Sequence, residues 1–82
     1  MKSNKISFLI KKKLNLKTVK IHKQYNNIII TAIGDFFIGM NSFEKQKNIY
    51  KILMPYFLKK EIHAVTINAY TISEWNKKNF IK

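Results

Sequence analysis

The chain contains no cysteine and no arginine, one proline, two glycines and four acidic residues among its 82 positions. Without cysteine there is no disulfide framework, no thiolate nucleophile and no thiolate metal site that the chain can close by itself, which suits a reducing compartment. The acids Asp35, Glu44, Glu61 and Glu74 are scattered and form no general acid–base pair. The two glycines, Gly34 and Gly39, make no phosphate-cradling loop. Ser3, Ser7, Ser42 and Ser73 lie in helix-start or helix contexts without a nucleophile elbow. No catalytic constellation remains, and the chain reads as a protein that is not an enzyme.

Long hydrophobic runs are also missing. The most apolar window, residues 28–40, contains Asp35 and both glycines and falls short of a membrane span. The apolar stretch 6–10 is too short for a signal-peptide core and runs into Lys11, Lys12 and Lys13. These features predict a soluble cytoplasmic protein. The length predicts one domain over residues 1–82, with one modest core and no second lobe.

What the chain has in excess is lysine. All 16 basic residues are lysine, and the net charge is +12. Lysine, isoleucine and asparagine share A/T-rich codons, so their abundance fits a base-biased, reduced bacterial genome as well as selection for charge. A basic surface implies phosphate affinity of the non-specific kind. The absence of arginine removes the residue best suited to bidentate base contacts. A lysine-rich helix has the simpler reading of a solvated face.

Hydrophobic spacing predicts the elements. Ile6, Leu9, Ile10 and Leu14 mark a helix over 4–14, with Ser3 as its N-cap. Alternation over 17–23 and 28–33 predicts two strands joined by a turn at 24–27. Residues 34–40 read as an irregular connection, and 42–60 as a long helix capped by Ser42, with Phe43, Ile49, Ile52, Leu53 and Phe57 on one side. Pro55 predicts a kink or break, with 55–60 as a separate last turn. A third strand follows over 62–70, and Thr71 and Glu74 form a T-x-x-E capping box that opens a closing helix. The order αββα(α)βα predicts an α+β domain with a three-stranded mixed sheet and helices packed on one face, like a class II KH domain but lacking a GXXG loop.

Two histidines carry what coordination chemistry there is. His22 falls on the polar side of the first strand, where a solvated imidazole is the simple reading. His63 falls on the apolar side of the third strand. It is either a hydrogen-bonded structural residue or a metal ligand. A lone imidazole cannot hold a metal tightly, so any metal would be shared with a partner that brings thiolates.

The stretches AIGDFFIGM (32–40), EKQKNIY (44–50) and above all IHAVTINAYTISEW (62–75) resemble the BolA-like family, in its bacterial IbaG or YrbA subgroup. The resemblance spans residues 19–75 in order. It implies a cytosolic adaptor that is a monomer or weak homodimer alone and forms a heterodimer with a monothiol glutaredoxin. The pair would share a [2Fe–2S] cluster, used in cluster trafficking or iron homeostasis, with thiolates from the glutaredoxin and glutathione. It also implies that His63 supplies this chain's ligand and that His63, Ala64 and Trp75 contribute to the partner surface. The family's second His or Cys, in the loop between the first two strands, corresponds to Asn27, a poor cluster ligand; His22 lies a few residues earlier. The alternatives are ligation through His63 alone, completion by another side chain, or an apo heterodimer. The rival function from the same resemblance is a DNA-binding stress or morphology regulator that uses Lys45, Lys47 and Lys51.

Overall fold

The computed structural model describes residues 3–80, with side chains over 5–78. Six elements follow in order: α1 (Ser3–Lys13), β1 (Thr18–Gln24), β2 (Asn27–Ile33), α2 (Ser42–Leu58), β3 (Ala64–Tyr70) and α3 (Ile72–Phe80), with a single 3₁₀ turn, Asp35–Phe37, before α2. The sheet order is β1-β2-β3; β1 and β2 are antiparallel, and β2 and β3 are parallel. The parallel step requires a crossover, and α2 supplies it. This is the predicted α+β architecture with a mixed three-stranded sheet.

One sheet face carries the core. Ile28, Ile30 and Ala32 of β2 are flanked by Val19 and Ile21 on β1 and by Val65, Ile67 and Ala69 on β3. Ile6 and Ile10 of α1, Leu14 just beyond its end, and Ile49 and Leu53 of α2 pack onto this face, with Leu16, Phe37 and Ile62 in the same cluster. The i, i+4 spacing of Ile6 and Ile10, and of Ile49 and Leu53, places each pair on one helix face. The opposite sheet face bears Thr18, Lys20 and His22 beside Ile29 and Thr31, with Thr66 and Asn68 beyond.

Helix ends are closed by side chain and backbone alike. After α1, Asn15 adopts φ 50° and the Leu16 N–H donates to the Lys11 carbonyl at 2.9 Å. After α2, Lys60 adopts φ 59° and the Glu61 N–H donates to the Tyr56 carbonyl at 2.9 Å. Both are Schellman turns that satisfy last-turn carbonyls, with a non-glycine residue in the left-handed position. Ser3 lies inside α1; its side chain, and so the cap expected of it, falls outside the described residues.

Three expectations for α2 are corrected. Its cap is Asn41, not Ser42: the Glu44 N–H donates to Asn41 Oδ1 at 2.8 Å, and the Asn41 N–H donates to Glu44 Oε1 at 3.1 Å. Phe43 does not join the buried side and is 72% exposed, because six residues separate it from Ile49. Pro55 does not divide the helix, which continues to Leu58. Proline removes one helical bond, to the Lys51 carbonyl, and here that loss falls in the last turn, where buried Leu53 and the Schellman turn hold the backbone. The third strand also starts later than expected, at Ala64, with Ile62 buried in the approach to it.

Candidate functional site

The segment before β3 is shaped by its flanks. Lys60 reverses the chain after α2, and Ile62, only 3% exposed, anchors it to the core. Pinning Ile62 turns His63 outward, so His63 is exposed rather than lodged on an apolar strand face. The β1–β2 hairpin arrives at the same place. Gln24 pairs with Asn27 across a two-residue turn, Tyr25 and Asn26, with Tyr25 at φ 58°. A positive φ at the first central residue matches the right-handed twist of the flanking strands. Asn27 pairs in turn with Ala64, which sets the hairpin tip beside His63.

The two segments enclose a shallow hollow of about 180 Å³ lined by Lys23, Tyr25, Asn26, Ile28, Glu61, Ile62 and His63. Among the described residues no three His, Asp or Glu side chains are grouped to hold a metal ion. The hollow therefore offers a single accessible imidazole, a carboxylate two residues before it and a lysine on its rim. That set can donate one nitrogen to a centre held mainly by other molecules; it cannot close a shell alone.

The other ligand candidates lie elsewhere. Asn27 is the first residue of β2 rather than a loop residue, and its Nδ2 donates to Thr66 Oγ1 at 3.2 Å on the open sheet face. His22 is exposed on that same open face, opposite Ile29, which faces Thr66 in turn. Two strand spacings, about 10 Å, separate His22 from Thr66, and three further residues separate Thr66 from His63. The structure does not bring His22 to His63.

Ala64 adjoins His63 and is exposed, but Trp75 stands at the other end of β3. Six strand steps, about 20 Å, separate Ala64 from Tyr70. The Trp75 ring is half-buried, 5.3 Å from the Tyr70 ring, with the Lys20 ammonium 5.8 Å above it. The structure therefore does not bring Trp75 together with His63 and Ala64; the hairpin tip lies beside those two instead.

Lys45 is corrected as well. It is 8% exposed, and its Nζ lies 2.8 Å from Glu74 Oε1. Its stem is packed and its charge is paired, so it is not an open phosphate contact. Lys47 and Lys51 are exposed. Glu74 also closes the capping box: it accepts from the Thr71 N–H at 2.8 Å, and its own N–H donates to Thr71 Oγ1 at 3.1 Å. The bond from Lys45, together with that from the Thr71 backbone, holds the Glu74 carboxyl below the ordinary carboxylate range.

Sequence reasoning missed Tyr25, Asn26 and Glu61. The turn dipeptide was legible, but its neighbour was not, because the parallel register of β2 on β3 leaves no local signal.

No helix among the described residues is long and apolar enough to cross a membrane. The model of the BolA-like protein family matches residues 15–74. A protein of Buchnera aphidicola subsp. Baizongia pistaciae is 40% identical over 76 residues, 93% of this chain and 96% of that one. The acid stress protein IbaG of Escherichia coli K12 is 36% identical over 75 residues, 92% of this chain and 89% of that one. Among solved structures, BolA1 from Arabidopsis thaliana superposes with a TM-score of 0.76 at 20% identity, covering 88% of this chain and 93% of that one. The fold, the family match and the agreement in length together make this chain a member of the BolA-like family.

Proposed function

We propose that the chain is an adaptor that docks on a monothiol glutaredoxin and lends His63 as a ligand to a [2Fe–2S] cluster shared between them, in cluster trafficking or iron homeostasis. The observation that carries this reading is the exposure of His63 as the single imidazole of its hollow, with no thiolate anywhere in the chain. An imidazole without enough neighbouring ligands to close a shell suits a centre whose remaining ligands come from outside, and a chain without cysteine can offer a thiolate-held cluster a nitrogen but no sulfur. When shared, the cluster supplies one-electron redox chemistry and labile iron; an imidazole in place of a thiolate raises its potential.

The chain's own residues do the rest. Ile62 fixes the backbone so that His63 faces the partner. The ammonium of Lys23, on the hollow's rim, offsets negative charge on thiolate-ligated iron. Tyr25, 99% exposed at the hairpin tip, offers a flat aromatic contact beside the docking point.

The test is co-reconstitution with a monothiol glutaredoxin, glutathione, iron and sulfide, read by visible absorption and circular dichroism against glutaredoxin alone. The expected result is a changed cluster spectrum that reverts with His63→Ala. A heterodimer with an unchanged spectrum would contradict ligation. No complex at all would contradict the adaptor reading and return attention to DNA binding through Lys47 and Lys51, measured across a salt titration.

A further inference from the structure

A second surface lies between α1 and α2. The groove there has a volume of about 560 Å³, and Leu9, Ile52, Pro55 and Tyr56 are part of its lining. Its banks mirror each other. On α1, Lys5, Leu9 and Lys13 stand at i, i+4 and i+8; Lys51 and Pro55 of α2 and Lys59 at its C-cap repeat the same spacing. This spacing keeps each trio on one helix face. The result is a groove lined by apolar residues and by four lysines, two from each bank. The only acid in the lining is Glu61.

We propose that this groove is a docking site for an acidic amphipathic helix of a partner protein. The inference is independent of cluster binding at His63. Eight residues of helix extend about 12 Å, enough to seat roughly two turns of a bound helix. An apolar stripe at i, i+3 or i+4, and i+7 would cover the floor, and Glu or Asp on both sides of the stripe would meet the four lysines.

Charge and shape favour this occupant over the others. A second copy of the chain would bring another +12 against the same lysines. A nucleic acid would pair with the lysines but leave the floor uncovered by anything apolar. A bilayer would meet the protruding Phe8, Met54 and Leu58, none of which lines the groove, rather than its recessed floor, where Ile6 is 1% exposed. Pro55 also gains a context here. Its ring contributes a rigid apolar surface to the middle of one bank, and it cannot donate to the Lys51 carbonyl beside it.

The experiment uses the full chain and a fluorescent helical peptide with a leucine stripe flanked on both sides by glutamate, followed by anisotropy at low and physiological salt. Binding should weaken roughly tenfold or more when Lys5, Lys13, Lys51 and Lys59 are all changed to glutamine, and less than about threefold when Lys11, Lys17, Lys47 and Lys77 are changed instead. A peptide of the same charge with its leucines replaced by glutamine should lose most of the affinity. Circular dichroism confirms that both variants fold. The proposal is overturned if the leucine peptide does not bind, if the leucine-free peptide binds as well, or if both lysine sets weaken binding equally. It is also overturned if duplex DNA or phosphatidylglycerol vesicles depend on the same four lysines and bind more tightly than the peptide.

Discussion

The Lys45 ammonium lies 2.8 Å from a Glu74 carboxylate oxygen and ties the middle of the fold to the first turn of α3. The same oxygen accepts from the Thr71 N–H, so one carboxylate both caps α3 and joins α3 to α2. The Glu74 side chain is 51% exposed, against 11% for Lys45, so solvent screens the pair and the cap is the larger part of its value. Glu74→Ala should lower unfolding stability by about 1 kcal/mol, read by chemical denaturation. Lys45→Met, which keeps the packed stem, should cost less.

The same pair predicts a pH dependence. The folded carboxyl of Glu74 is depressed below its ordinary value of 4.5. Its contribution to stability is therefore complete above that value and is lost as pH falls through the lower folded one. Urea midpoints taken downward from pH 5 should fall less steeply for Glu74→Gln than for the parent chain. Equal slopes would show that the pair carries no linked proton.

Leu16 packs directly on Gly34. A Cβ at Gly34 would stand 2.6 Å from Leu16 Cδ2 and 3.0 Å from Leu16 Cα, a backbone atom that cannot swing aside. The backbone here is extended, so the constraint is steric crowding and not conformation. Gly34→Ala should destabilise by about 1–3 kcal/mol. Gly34→Ala with Leu16→Ala should recover only part of that loss, because the crowding against the Leu16 backbone remains.

Pro55 sits in a helix that tolerates it. Pro55→Ala restores a donor for the Lys51 carbonyl and should raise the melting temperature, since proline within a helix costs up to about 3 kcal/mol relative to alanine. A lower melting temperature would mean that the stiffening of the unfolded chain by proline outweighs the missing bond.

The hollow beside His63 makes a positional prediction. Asn26 lines it, whereas Asn27 points to Thr66 on the open sheet face. If the shared cluster forms as proposed, Asn26→His should slow its loss to a chelator. Asn27→His should do so less, because its side chain starts from the wrong face. The reverse order would move the ligand position to Asn27.

Much of the fold is legible in the sequence because its signals are local. Alternation at Val19 and Ile21 and the i, i+4 spacing of Ile6 and Ile10 give strand and helix without reference to anything distant. The T-x-x-E box at Thr71 is legible for the same reason. Departures arise where two local signals compete or where distant contacts decide. Asn41 and Ser42 can both cap a helix, and only Asn41 lies three residues before Glu44, which completes the box. Pro55 carries a strong local signal for a break that tertiary packing overrides. Lys45 reads as a solvated face in isolation; its partner is 29 residues away. At the candidate site the sequence points to His63. It does not show that Ile62 turns it outward, that Tyr25 and Asn26 face it, or that Trp75 stands a strand's length away.

The central claim is that the His63 imidazole binds iron in a shared cluster. The most direct test is pulsed electron paramagnetic resonance on the reduced glutaredoxin complex, with ¹⁵N-histidine incorporated only in this chain. The account predicts a ¹⁵N hyperfine coupling of directly bound imidazole that is present in the parent chain, retained in His22→Ala and absent in His63→Ala. A cluster that forms in the complex without such a coupling, or with one that survives His63→Ala, would contradict it.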